Sequence, residues 1–165
     1  MMMTINSPVT SLLQAKGIAY EVIEIPLSED KKPVRNLEEL LSAQNLDPRS
    51  VIRSVVFKAE SGYFALLAVA GVGRADWAVL RNYLNERKLR MAEYDEVQGA
   101  TGYVVGAVPP VALPEGLRVL VDKSVRDYER VVIGSGVLGY ALALSGQDLL
   151  SLLENAEESV FVKAS

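Results

Sequence analysis

The chain has 165 residues, half of them hydrophobic and 23% charged, with a formal net charge of -4. This composition excludes disorder, fits one globular domain spanning 1–165, and leaves any polyanion contact to a local basic patch. Histidine and cysteine are both absent, which removes the commonest metal ligands and the thiol nucleophile, so neither metal nor cofactor is expected. The longest apolar run, 63–72, is about half of a bilayer span, so no membrane crossing is expected. MMMTINSP at the start lacks a basic region followed by an apolar one, and a cytoplasmic location is expected.

In chain order, Asn6 or Ser7 predicts the cap of a first helix with Pro8 at its start, Val9, Leu12 and Leu13 on its apolar face, and Gly17 as its stop. IAYEVIEI reads as a strand, and the polar stretch 26–35 as an exposed loop. A second helix is expected from Asn36, with Glu39 completing a capping-box-like pair and Leu37, Leu40 and Leu41 facing inward. Asp47 and Pro48 open a tight turn. The apolar runs 52–58 and 63–70, separated by Ala59 to Gly62, predict an antiparallel hairpin at the centre of the core.

Asp76 is a plausible cap for a helix carrying Trp77, Leu80, Tyr83 and Leu84, followed by a short strand in KLRMA and a short helix over 93–98. Strands are expected at 118–121 and 130–133 around a brief helical turn at 123–127. A last strand at 140–144 leads into a helix capped by Ser145, with Leu149, Leu150 and Leu153 on its apolar face. Hairpins interspersed with helices predict an α/β (mixed α+β) fold, a bent, mostly antiparallel mixed sheet surrounded by helices.

Two segments carry functional signals. In TGYVVGAVPP, 101–110, an apolar strand-like run is broken by Gly106 and then by Pro109 and Pro110. Glycine lets a ligand approach the backbone and two prolines stiffen the bend, so a rigid loop facing a cleft is expected. GSGVLG at 134–139 matches G-x-G-x-x-G, but a helix through it would have to cross Ser145 and Gly146, so a glycine turn between antiparallel strands is the better reading.

The hairpin, the glycine-proline loop, VLVD at 119–122, the strand with GSG and LSGQDLLSLL at the end occur in an order that resembles the YbaK/prolyl-tRNA synthetase-associated domain family, from about residue 15 to residue 153. The resemblance implies hydrolysis of misacylated tRNA, especially prolyl-type tRNA carrying a wrong small amino acid. It implies the aminoacyl-tRNA acceptor end as partner, with a synthetase as a second possible one. By the same resemblance Gly106 and Pro110 occupy the family's Gly-x-x-x-Pro loop, which holds the aminoacyl ester, with Val105, Ala107 and Pro109 beside them.

The family's required lysine on the first hairpin strand, followed by threonine or serine, corresponds here to Arg53 and Ser54. Arginine cannot act as a general base but can anchor an anion or a carbonyl oxygen. Arg53 therefore fits either an electrostatic anchor in a working hydrolase or, with hydrolysis lost, a module that only binds aminoacyl-tRNA or an amino-acid-like ligand. A solvated strand residue is a third reading. A regular strand would point Ser54 to the face opposite Arg53, where it reads as a substrate contact or a satisfied core hydroxyl. Asp122 reads as a substrate contact or a helix cap. Gly134, Ser135 and Gly136 read as amide donors to the substrate or a plain turn. Arg81, Arg87, Lys88 and Arg90 read as a tRNA phosphate track or a solvated helix end.

Overall fold

The computed structural model describes residues 4–26 and 37–163. Helix α1 (Pro8–Ala15) starts as its sequence predicts. The Ser7 Oγ accepts from the Thr10 N–H at 3.2 Å while the Ser7 N–H donates to the Thr10 Oγ1 at 2.9 Å, and Gly17 at φ 67 ends the turn. Val9 and Leu13 are fully buried. Strand β1 (Tyr20–Glu24) follows, then α2 (Leu37–Ala43), whose Leu41 is buried. The expected 26–35 loop lies almost wholly outside the described residues. The Asn36 cap, with its proposed pairing to Glu39, and the inward Leu37 side chain lie outside them too.

Asp47 caps a single 3-10 turn, Pro48–Ser50, and the central hairpin forms as predicted from β2 (Arg53–Ala59) and β3 (Phe64–Val69). Asp76 caps α3 (Trp77–Leu84) through the Ala78 and Val79 amides, and β4 (Leu89–Met91) adds to the free edge of β2. Next come α4 (Tyr94–Thr101), β5 (Arg118–Asp122), a 3-10 turn at Lys123–Asp127, β6 (Arg130–Gly134), β7 (Tyr140–Ser145), α5 (Gly146–Leu152) and β8 (Glu157–Ser159).

The strands form two sheets. One is three-stranded and antiparallel, in the order β1-β7-β6. The other runs β4-β2-β3-β5-β8, with β3, β5 and β8 parallel. The expected bend is the junction between them, where Val51 bridges Val132 and the Ile52 N–H donates to the Val132 carbonyl at 2.7 Å. GSGVLG is a turn between antiparallel β6 and β7, as the helix-interruption argument required.

Three expectations need correction. The run 101–110 contains no strand: Thr101 ends α4, Gly102 takes a left-handed cap at φ 84, and Gly106 reverses the chain again at φ 98. Helix α4 also runs past Gln98 and through Gly99. Finally, β7 is not the last strand. Glu157–Ser159 lacks apolar alternation and is held by tertiary charge pairing, with Arg118 bidentate on Glu157 (2.7 Å twice) and Arg126 on Glu158 (2.5 and 2.7 Å). Beyond it Phe161 is fully buried, edge-on to Tyr83 at 5.1 Å.

Candidate functional site

The two faces of β2 have different fates. Val55 and Phe57 pack into the cluster of Leu80, Leu84 and Phe161, whereas Val56 packs with Leu66 and Val97 beneath α4 and Val108. Strand alternation places Ser54 with Val56 and Arg53 with Val55. On the Ser54 side, next to the sheet junction, lies a cavity of about 360 Å³. Its walls come from β2 and the segment before it, from Met91 to Val97, from Val105, Gly106 and Val108, and from the facing ends of β6 and β7; most are apolar, with two tyrosines among them.

Ser54 lines the cavity, and its hydroxyl oxygen is itself buried without a hydrogen-bond partner among the described residues. The sequence left it as a substrate contact or a satisfied core hydroxyl; satisfied it is not, and an unmet buried hydroxyl costs roughly 1–3 kcal/mol. Arg53 borders the same cavity, but its guanidinium donates to the Gly73 carbonyl. Gly73 packs against Val162, a residue of the Phe57 and Phe161 cluster, so the charge is tethered on the other face of the sheet.

The glycine loop and the glycine turn hold each other. The Gly136 N–H donates to the Ala107 carbonyl at 2.9 Å, and the Ala107 N–H to the Val104 carbonyl at 3.0 Å. Gly134 allows the backbone of Ala107 and Val108 to lie directly against β6: a Cβ there would overlap the Val108 carbonyl oxygen and stand 2.7 Å from its carbon. Tyr103, buried beneath this contact, donates its hydroxyl to the Ala112 carbonyl at 2.7 Å, and burial pushes its phenol pKa up.

Of the residues singled out from sequence, the structure therefore brings Arg53, Ser54, Val105, Gly106 and Gly134 to one cavity. The others lie elsewhere. Ala107 and Pro109 are buried, and Pro110 lines a separate hollow with Leu12 and Leu153, because the loop turns inward after Gly106. The Gly136 amide is occupied by Ala107. The Ser135 hydroxyl is spent on the Val137 and Tyr140 carbonyls at 2.9 and 2.7 Å. Asp122 is buried with one oxygen accepting from the Ser124 N–H (2.9 Å) and the other from the Phe161 N–H (2.7 Å), which makes it a cap and a tie to the C-terminal segment.

Residues 31–152 match the aminoacyl-tRNA editing domain. The chain belongs to that family. Among its relatives are the proline–tRNA ligases of Streptococcus sanguinis (30% identical, 66% of this chain) and Caldicellulosiruptor saccharolyticus (29%, 65% of this chain). The chain spans only 17% and 18% of those ligases. A structure described as a proposed trans-editing enzyme for prolyl tRNA synthetase shares the fold at a TM-score of 0.76 and 24% identity, covering 98% of this chain and 100% of its own. The hypothetical protein APE2540 does so at 0.78 and 22%, covering 95% and 100%.

Five of the basic residues, Lys58, Arg81, Arg87, Lys88 and Arg90, line a second hollow of about 510 Å³ together with Glu60. Arg90 is bidentate on Glu96 at 2.7 and 2.8 Å, which holds the Glu96 carboxyl at a pKa of about 2. Sequence reasoning missed Met91, Tyr94, Val132 and Tyr140 on the cavity wall. Met91 and Tyr94 left one trace, as apolar residues in an otherwise polar stretch; Val132 and Tyr140 read simply as strand residues. No described helix is long and apolar enough to cross a membrane.

Proposed function

We propose that this domain hydrolyses the ester of a mischarged aminoacyl-tRNA, acting in trans on prolyl-type tRNA that carries a wrong small amino acid. The observation that carries this reading is a small, mostly apolar cavity, in an editing-family fold, lined both by Ser54, whose hydroxyl is buried without a partner among the described residues, and by Gly106. An apolar wall suits a small apolar side chain and excludes bulk water.

Hydrolysis adds water to the ester carbonyl carbon and breaks its bond to the ribose oxygen, which takes up the proton. Among the described residues no carboxylate or lysine lines the cavity, so activation of water falls to the substrate's own neighbouring ribose hydroxyl. The chain's part is to position the ester and meet the charge that develops on its carbonyl oxygen. We assign that part to the Gly106 N–H and the Ser54 hydroxyl, neither of which has a partner among the described residues.

A second reading is favoured by one observation, the tether of Arg53 to Gly73: a module that binds the acylated end without cleaving it. Incubation of the purified protein with alanyl- and cysteinyl-tRNA(Pro) separates the two. The hydrolase reading expects deacylation well above buffer, reduced about 10- to 1,000-fold by Ser54→Ala. Absence of deacylation at high protein concentration overturns it, and activity that appears only in Arg53→Lys would establish the binding module.

A further inference from the structure

A hollow lined by five cationic side chains adjoins the cavity. Arg90 lines the basic hollow and its neighbour Met91 lines the cavity; on β2, Lys58 lines the hollow and Val56, two residues away on the same face, lines the cavity. Lys58 and Arg90 are both engaged with Glu96, at 4.0 and 2.7 Å. Arg81, Arg87 and Lys88 make no ion pair among the described residues and remain available to an anion.

The cavity mouth is apolar in a way packing does not explain. Tyr94 is 72% exposed, Met91 54% and Val105 36%, although all three border the cavity. A large aromatic left in solvent beside a binding cavity and next to unpaired cations matches what single-stranded nucleic acids bind: a π surface for a base and positive charge for the backbone.

We propose that β4 is a rail for a single-stranded RNA end, with the terminal base on the Tyr94, Met91 and Val105 rim and the preceding phosphates in the hollow of Arg81, Arg87 and Lys88. This rests on the proposed function for the identity of the RNA and adds its direction: acyl group inward, base at the mouth, backbone toward α3. It also separates two kinds of contribution. The rim contributes by stacking and is insensitive to salt; the hollow contributes by counterion release and is highly sensitive to it.

The test uses a hairpin RNA with a short single-stranded 3′ end that carries no aminoacyl group, so its result does not depend on hydrolysis. Fluorescence anisotropy gives affinity as a function of salt concentration. The triple variant Arg81→Ala, Arg87→Ala, Lys88→Ala is expected to flatten the slope of log affinity against log salt by about two, at roughly 0.7 for each phosphate no longer neutralised. Tyr94→Ala is expected to weaken binding about 5- to 150-fold with the slope unchanged, and Tyr94→Phe to restore it. Removing Lys16 and Lys123, exposed and outside the hollow, serves as a net-charge control. An unchanged slope in the triple variant, or an equal change per charge removed in the control pair, overturns the proposal. Wild-type deacylation by the triple variant would sink the rail and leave the hydrolase reading intact.

Discussion

The two glycine-bearing segments bordering the cavity, 101–110 and 134–136, look alike in sequence and act differently in the fold. At Gly106 the backbone conformation is what demands glycine: φ is 98, and an added Cβ would meet only the Leu138 Cδ1, at 3.1 Å. At Gly134 the surroundings demand it, since the space a Cβ would fill is already occupied by the Val108 carbonyl. The first glycine shapes the surface offered to a ligand, and the second lets the wall behind that surface close. Function and stability should therefore respond in opposite proportions at the two positions.

Gly134→Ala tests this with the largest expected effect. Because the obstruction is backbone rather than a flexible side chain, loop and strand must separate, at about 1–3 kcal/mol of stability with the cavity wall displaced. Denaturant unfolding would show the loss, and deacylation would fall with it; an unchanged midpoint would refute the tight approach. Gly106→Ala should cost less stability, about 1–2 kcal/mol for an L-residue held at positive φ, yet abolish most deacylation because the Gly106 N–H is re-aimed. Equal proportional losses in the two variants would erase the distinction between them.

The smallest effect concerns the clamp of Glu96 on Arg90, which ties α4, one cavity wall, to β4. Arg90 and the Glu93 N–H hold the Glu96 carboxyl at about 2, below its ordinary value of 4.5. A depressed carboxylate contributes stability that is fully present above its unfolded pKa and disappears as pH falls through the folded one. The clamp's contribution should therefore fade between about pH 4.5 and pH 2. Glu96→Gln should remove this part of the acid limb in thermal melts and lower stability at neutral pH by the same amount, a small one for an exposed pair. A wild-type acid limb in the variant would show that the clamp carries no stability.

Legibility followed the range of the interaction. The Ser7 and Asp76 caps, the 52–70 hairpin and the turn at 134–139 rest on neighbours within a few residues, and each was readable. Glu157–Ser159 was not, because its register depends on Arg118 and Arg126, over 30 positions earlier in the chain. At the site, Ser54, Val105, Gly106 and Gly134 were legible as candidates, as was Arg53. Met91 and Tyr94 were not, since an apolar residue in a polar stretch does not by itself distinguish a cavity rim from an exposed strand or helix end.

By itself the chain determined its helices and hairpin, the absence of histidine and cysteine chemistry, and its family, all of which follow from local periodicity, residue inventory and ordered motifs. Only the folded molecule decided which face of β2 carries the site. Strand alternation sends successive side chains to opposite faces, and only the packing of α4 over one face and α3 over the other determines that Ser54 meets a hollow while Arg53 reaches Gly73.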